Sequence, residues 1–213
     1  MKLMRDFTLE KYSELMLALM GNYRIMTVGD YLSMFAIGKN TAVLLHDVDK
    51  LPERAARMAL LEKRLGLRST YYFRWDPKAV YWAGTGEDRY GNFPELQVVE
   101  AKLHGHEVGY TPLKGEDPAP RLARLRALAP VRTAYSEAVR TAYSEAPDVL
   151  GGPHSPEFGE FARFTDSKRG WRADGAQEKL KGTDSLIEIL KAGKYPLVMV
   201  DAHPGLWREP RKR

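Results

Sequence analysis

The chain has 213 residues, of which 44% are apolar, so it can bury one sizeable core but is too short for two full-sized enzymatic domains. Its 33 Lys and Arg against 28 Asp and Glu leave a net charge of +5, and its lack of cysteine excludes a disulfide scaffold, a thiolate zinc site and a cysteine nucleophile. We expect a single domain over residues 1–213, with a helical lead-in over residues 1–40 and a basic tail over residues 208–213.

The beginning of the chain predicts where the protein resides. The first twenty residues include charged side chains that interrupt the apolar run of a signal peptide. No stretch approaches the roughly 20 apolar residues that cross a bilayer. The sequence therefore predicts a cytoplasmic protein without a membrane span. The basic residues are typical of solvated faces, so we expect no nucleic-acid partner. The interrupting side chains are Arg5, Asp6, Glu10, Lys11 and Glu14.

The N-terminal quarter predicts two helices and the first strong strand. Apolar residues recur at three- and four-residue steps over residues 8–20, which predicts an amphipathic helix with Thr8 as its N-cap. The apolar run over residues 41–45 does not alternate, which is typical of a strand covered on both faces. Between them we expect an extended segment over residues 23–28 and a short helix over residues 28–35 that starts near Asp30.

The rest of the chain alternates between strands and helices. This alternation indicates an α/β fold with a parallel sheet, either a barrel or part of one. In such folds the chemistry lies at the C-terminal ends of the strands. We expect helices over residues 52–65, 94–103 and 183–191, and Gly66 should follow the end of the first of these. We expect strands over residues 69–75, 106–110 and 197–202.

Two carboxylates follow the first strong strand. In an extended segment Asp47 and Asp49 point to the same side. One can ligate a divalent metal while the other acts as general base on a metal-bound water. Alternatively, one caps the helix that begins at Pro52, and the other pairs with Lys50 or Arg54.

Several separated blocks of sequence, in order along nearly the whole chain, resemble one protein family. The chain is similar to the His-Asp-Val-Asp branch of the polysaccharide deacetylases, the NodB-homology carbohydrate esterases. The blocks are Arg5-Asp-Phe-Thr-Leu-Glu-Lys-Tyr12, Asn22-Tyr-Arg24, Leu45-His-Asp-Val-Asp49, Pro52-Glu-Arg-Ala-Ala-Arg-Met58, Leu67-Arg-Ser-Thr-Tyr-Tyr-Phe-Arg74, Gly105-His-Glu-Val-Gly-Tyr110, Phe164-Thr-Asp-Ser167 with Trp171, and Asp201-Ala-His-Pro204 with Trp207.

The resemblance implies a fold, a reaction and a set of roles. The fold would be a distorted (β/α) barrel of the NodB type. The reaction would be zinc-dependent removal of an N-acetyl group from a sugar or glycan during surface polysaccharide biosynthesis, such as that of lipopolysaccharide O-antigen. By the same resemblance, Asp47 matches the general base, Asp49 a metal ligand, and His203 the general acid for the leaving amine.

The chain departs from the family at the remaining metal ligands. Two histidines four residues apart normally complete the set, but Thr111 and Gly115 stand at these positions, and neither replaces an imidazole. His154, in a loop between prolines, is the remaining candidate, and we expect it to bind metal with Asp49. Asp47 or Asp166 could assist it. His104 and His106 precede their strand, so packing is the better interpretation for both.

Five further residues are expected to contact the substrate. Arg74 at a strand end suits a carboxylate or phosphate, or else forms a structural ion pair. Aromatic rings stack on the apolar faces of sugars, although many of the rings here can belong to the core. The predicted substrate-binding residues are His46, Arg74, Asp166, Trp171 and Trp207.

The incomplete ligand set leaves two functions open. The chain is either an active deacetylase or a catalytically impaired homologue that acts as a glycan-binding or regulatory module. Stoichiometric metal with deacetylation would favour the first, and glycan binding without turnover would favour the second. Residues 131–138 recur unchanged as residues 139–146, and we interpret this single tandem copy as a local duplication that lengthens a loop or helix and has no assigned function.

Overall fold

The computed structural model describes residues 6–34, 37–74, 80–82, 88–90, 93–113, 117–135, 152–154, 161–176 and 179–209, with the backbone alone for 80–82 and 88–90. The strands are β1 (Arg24–Met26), β2 (Thr41–Val48), β3 (Thr70–Phe73), β4 (Val80–Trp82), β5 (Asp88–Tyr90), β6 (Glu107–Tyr110), β7 (Val131–Ala134), β8 (Ala162–Ser167), β9 (Gly170–Asp174) and β10 (Leu197–Ala202). The helices are α1 (Leu9–Asn22), α2 (Val28–Leu32), α3 (Pro52–Arg64), α4 (Glu95–Leu103), α5 (Ala119–Arg126) and α6 (Thr183–Ala192), and a short 3-10 helix covers Pro204–Leu206.

The helix ends follow local signals in the sequence. The Thr8 hydroxyl accepts a hydrogen bond from the Lys11 amide, which confirms Thr8 as the N-cap of α1. Helix α3 begins at Pro52 and is followed by Gly66 with a φ of +74°, a conformation that glycine adopts without steric cost. Helix α2 begins at Val28, the first residue of the predicted range, where the Thr27 hydroxyl caps its first turn by accepting a hydrogen bond from the Asp30 amide.

Within the described residues, eight strands form one mostly parallel sheet. Its order is β7-β6-β3-β2-β10-β8-β9, and β1 pairs with the first half of β2. All pairs are parallel except β8 with β9. This confirms the predicted α/β class. The sheet ends at β7 and β9 and is not closed into a barrel over this part of the chain.

Strand β2 lies near the middle of the sheet, and all eight of its residues are buried. Ala42 and Leu44 pack against α1 and α6 on what we call the outer face. Val43 and Leu45 point to the opposite, inner face, where they pack with Met199 of β10. Because side chains alternate along a strand, this pattern determines which way each residue at the C-terminal end of β2 points.

Several elements were not predicted. Strand β7 comes from the first copy of the duplicated octapeptide, where a loop or helix was expected, and the second copy lies outside the described residues. The antiparallel pair β8–β9 and helix α5 were also missed. None of the helices in the described residues is long and apolar enough to cross a membrane.

Candidate active site

The C-terminal ends of β2, β3 and β10 bring a group of charged side chains together. Asp47 continues the inner-face series of β2 and is almost completely buried. Its Oδ2 accepts a hydrogen bond of 3.0 Å from Nη2 of Arg74, which directly follows β3 and whose side chain is 40% exposed. Of the two interpretations of Arg74, the structure therefore contains the ion pair, and the pair lies at the open edge of the sheet.

His203 directly follows β10 and faces Asp47 across this edge. Its Nε2 lies 3.9 Å from Asp47 Oδ2, which is too long for a hydrogen bond. The other ring nitrogen, Nδ1, lies 2.7 Å from Oδ1 of Asp166, and the His203 amide donates to the same oxygen. The His203 side chain is 24% exposed, so it is accessible to a ligand from the open side.

Asp166 orients His203 and raises its pKa. The carboxylate is buried, and its Oδ2 accepts a hydrogen bond of 2.7 Å from Nε1 of Trp207. Burial alone would lower the pKa of His203, but the hydrogen bond with Asp166 and the charges of Asp201, Asp166 and Asp47 raise it to about 9. His203 is therefore protonated at neutral pH, as a general acid must be before it acts.

Asp201 is a third carboxyl group at this edge, and its sequence context predicts no role for it. Its Oδ2 accepts a hydrogen bond of 2.9 Å from the hydroxyl of Tyr135. Burial raises its pKa to about 7, and the charges of Asp47 and Asp166 add to this effect while His203 opposes it. We call Asp47, Arg74, Asp166, Asp201 and His203, together with Tyr135, the mouth cluster.

The described residues do not fit the zinc site that the resemblance implies. Among them, no three His, Asp or Glu side chains converge on a position that could hold an ion. Asp49 lies beyond the end of β2 and is partly exposed. Thr111 is buried with no hydrogen-bond partner for its hydroxyl in the described part of the chain, and Gly115 lies outside it.

His154, the other predicted metal ligand, lies beside Arg163 and Tyr135. Its Nδ1 lies 3.3 Å from a guanidinium nitrogen of Arg163. A guanidinium only donates hydrogen bonds, so Nδ1 is the acceptor in this contact. His154 contacts the mouth cluster through its ring, which lies edge-on to Tyr135 at 4.9 Å between centroids.

Three of the five residues predicted to contact substrate belong to the core. His46 has no exposed surface, because it points to the outer face, and its Nε2 lies 2.7 Å from Glu62 of α3. Trp207 is also fully buried and donates to Asp166. Trp171 is buried, and its Nε1 donates to Thr183. In each of the three, a ring nitrogen is already bound to another protein group, so we assign these residues to the support of the site.

A second polar cluster lies under the outer face, centred on Glu62. This buried carboxylate binds His46, and it accepts hydrogen bonds from the hydroxyl groups of Tyr12, Ser69 and Tyr71. Burial raises the pKa of Glu62, but the charges and hydrogen bonds of its partners outweigh burial and lower the pKa to about 2. Glu62 falls on the buried stripe of α3 with Ala55, Met58 and Ala59, so helical periodicity could have marked it.

No protein-family model, curated protein or solved structure matches this chain. The resemblance to the polysaccharide deacetylases therefore remains a hypothesis that rests on the motif residues. The structure adds a geometric fact, since Asp47, Arg74, Asp166 and His203 come from four separate blocks and meet at one edge of the sheet.

Proposed function

We propose that this protein is an N-acyl hydrolase of the polysaccharide deacetylase kind, which removes an N-acetyl group from a sugar during surface polysaccharide biosynthesis in the cytoplasm. The supporting observation is the pair of Asp47 and His203, whose facing atoms are 3.9 Å apart and which are each held by a partner of opposite charge. The mostly parallel sheet is compatible with a distorted barrel of the NodB type, as the resemblance implies.

The pair supplies a base and an acid side by side at the open edge of the sheet, where both can face one bound amide. Asp47 accepts a proton from a water molecule, and the water oxygen forms a bond to the amide carbon. The tetrahedral intermediate collapses when His203 gives its proton to the nitrogen, which breaks the carbon–nitrogen bond. The products are an amine and acetate. Loss of the proton from Asp47 and uptake of one by His203 restore the starting state.

The partners of the two groups keep them in the required states. Asp166 holds the His203 ring by Nδ1, so that Nε2 faces Asp47 and the open edge. The guanidinium of Arg74 lies against Asp47 Oδ2 and fixes the carboxylate in place. Zinc has no fitting set of ligands among the described residues, so no step of this mechanism passes through it.

A second candidate function is glycan binding without turnover. The observation in its favour is the absence of converging metal ligands in the described ranges, with Thr111 at one of the positions where the family has a histidine. Under this hypothesis the mouth cluster recognises a sugar, and the acid and base are remnants of a lost activity.

Acetate release distinguishes the two functions. The purified protein is incubated with the N-acetylglucosamine trimer, without added metal, with zinc and with a chelator, while acetate is followed by proton NMR. The hydrolase is supported if the wild-type protein releases acetate in any of these conditions and Asp47→Asn does not. Saturable binding of the trimer with no acetate in any condition supports the second candidate. Asp174→Asn, a change at an exposed carboxylate of β9, is the matched control.

A further inference from the structure

We propose that Asp201 and Tyr135 form a subsite for a positively charged amino group, so that the mouth cluster accepts amino sugars, meaning glycans that carry free amines beside N-acetyl groups. This inference rests on the proposed function, because it concerns the same site. The inference does not require hydrolysis, since the subsite binds an amine whether or not the protein hydrolyses an amide. The groups that carry it are one buried carboxylate, the tyrosine that orients it and the charges around them.

The first observation is the unsatisfied oxygen of Asp201. The residue is 5% exposed, and within the described residues its Oδ1 has no hydrogen-bond partner. A buried acceptor without a donor costs about 1 to 3 kcal/mol, and more when it is charged. A ligand that brings a donor to this oxygen recovers that cost, so the site favours ligands with a donor at this position.

The second observation is the direction of the side chain. Asp201 pairs with Leu45 of β2, and paired residues of parallel strands point to the same face of the sheet. Asp47 lies two residues beyond Leu45 on that face. Strand spacing and rise place the Cα atoms of Asp47 and Asp201 roughly 8 Å apart. Asp201 therefore lies on the inner face, next to the acid and base, at the same open edge.

Tyr135 fixes the orientation of the Asp201 carboxyl group. Its hydroxyl donates to Oδ2, which leaves Oδ1 as the free acceptor. The Tyr135 ring packs on Tyr72 at 5.3 Å between centroids. Tyr72 in turn lies over Gly109, where a Cβ atom would be only 2.3 Å from the Tyr72 ring. The absence of a side chain at Gly109 thus makes room for the aromatic pair that supports Asp201.

The balance of charges identifies the kind of donor. Arg74 is paired with Asp47, and His203 is paired with Asp166, so these two cations and two carboxylates cancel. Asp201 is the remaining acid, and Tyr135 gives it a hydrogen bond but no charge. A neutral hydroxyl would satisfy Oδ1 without compensating an ionised carboxyl group. An ammonium group does both, and charge-assisted hydrogen bonds are about twice as strong as neutral ones.

The titration of Asp201 agrees with this assignment. The charged or titratable groups that act on Asp201 from the neighbouring elements are Asp47 on β2, Asp166 on β8, His203 after β10 and Tyr135 after β7. With burial as the largest cause, they leave its pKa at about 7. Near neutral pH the group is therefore poised between its two forms, and a bound ammonium favours the ionised one.

Calorimetry at pH 7 tests the proposal. It compares the binding of the glucosamine trimer with the binding of the N-acetylglucosamine trimer. Wild-type protein should bind the amino trimer, and Asp201→Asn should weaken this binding by about 10-fold or more, because a charged hydrogen bond is lost. The same change should alter binding of the N-acetyl trimer by less than about threefold. Asp174→Asn should leave both affinities unchanged.

Three outcomes would overturn the proposal. These are no binding of the amino trimer to wild-type protein, unchanged affinity in Asp201→Asn, and equal losses for both trimers. Should Asp201→Asn fail to fold, carboxyl carbon NMR on wild-type protein provides the test, since saturating amino trimer should lower the pKa of Asp201 by at least about one unit. No shift would refute the subsite. Acetate release from the N-acetyl trimer reports separately on the hydrolase, so the two failures are distinguishable.

Discussion

His46 and Asp47 are neighbours in β2, yet their side chains belong to two polar clusters with different properties. His46 points to the outer face and joins the cluster around Glu62, which is sealed from solvent. Asp47 points to the inner face and joins the mouth cluster, where Arg74 and His203 are partly exposed. One strand thus supports both a closed and an open set of charges.

The difference lies in how completely the polar atoms are paired. Both oxygens of Glu62 have partners, as a fully buried carboxylate requires. In the mouth cluster, Oδ1 of Asp201 has none in the described residues, and the facing atoms of Asp47 and His203 do not bond to each other. The closed cluster therefore stabilises the fold, whereas the open cluster keeps polar atoms that a ligand can bind.

The two clusters are also joined. His46 Nδ1 lies 3.2 Å from the carbonyl oxygen of Ala202, the residue between Asp201 and His203. Tyr12, which donates to Glu62, packs its ring edge-on against Trp207 at 5.0 Å between centroids. The closed cluster thus holds the strand end that carries two residues of the mouth cluster.

The largest expected loss of stability comes from breaking the closed cluster. Glu62→Gln replaces one carboxylate oxygen with an NH2 group, so buried hydroxyl groups that donate to Glu62 lose an acceptor, and the free energy of unfolding should fall by about 3 kcal/mol. Urea unfolding measures this loss. The control Glu95→Gln removes a solvent-exposed ion pair with Arg124 and should cost less than about 1 kcal/mol. A similarly small loss for Glu62→Gln would contradict the account.

The contribution of Glu62 should also depend on pH. Its pKa falls from 4.5 in the unfolded chain to about 2 in the folded protein. The stabilisation is then fully present above pH 4.5 and is lost as the pH falls through 2. The difference in unfolding free energy between wild type and Glu62→Gln should therefore narrow between pH 5 and pH 2. A difference that stays constant over this range would show that Glu62 is not charged in the fold.

In the mouth cluster, Asp166→Asn should cause the next largest loss. Without this carboxylate, the pKa of His203 should fall from about 9 towards or below its ordinary 6.5, which proton NMR of the ring measures directly. The raised pKa stabilises the fold below pH 6.5, and this stabilisation is lost as the pH rises through 9. The stability difference between wild type and variant should accordingly shrink as the pH rises from 6.5 to 9. If the pKa of His203 is unchanged in the variant, a group other than Asp166 raises it.

Asp201→Asn should change the stability in the opposite direction, so that the variant is more stable than the wild type at neutral pH. The pKa of Asp201 is raised from 3.8 to about 7, so its stabilising contribution is present below pH 3.8 and is lost as the pH rises through 7. Asparagine stays neutral throughout. The variant should therefore gain stability relative to wild type between pH 4 and pH 7, by up to about 4 kcal/mol, and the gain should level off above that. Thermal melts at pH 4.5 and pH 8 test this, and a relative loss at pH 8 would contradict it.

Asp49→Asn should have the smallest effect on stability. Asp49 follows the end of β2 and makes no hydrogen bond or ion pair within the described residues, so the cost should be below about 1 kcal/mol. Zinc titration of this variant gives a second result. Tight zinc binding by wild-type protein that Asp49→Asn abolishes would show that the predicted ligand set does assemble. Equal and weak binding by both is what the geometry leads us to expect.

The sequence predicted the parts of the fold that local rules decide. The cap at Thr8, the helix from Pro52 and the strand Leu197–Ala202 depend on residues close in the chain. Strand alternation, which predicts the direction of Asp47, also places the His46 side chain on the opposite face of the sheet.

Contacts between distant segments were not accessible in this way. Trp207 binds Asp166 across 41 residues, and Tyr135 binds Asp201 across 66 residues. No periodicity in the sequence encodes these pairs, because they depend on the order of strands in the sheet. For this reason the sequence identified Asp166 and Trp207 as site residues and predicted contacts with substrate, but it did not predict that Trp207 binds Asp166 and that Asp166 binds His203.

The most direct test of the central claim is the rate of acetate release from the N-acetylglucosamine trimer by wild type, Asp47→Asn, His203→Ala and the double variant at pH 7. If Asp47 and His203 act as base and acid, each single change should lower kcat by about 10² to 10⁴ with little change in binding, and the double variant should be little worse than the poorer single one. Activity that survives either substitution, or equal losses in kcat and binding, would contradict the assignment of the acid–base pair.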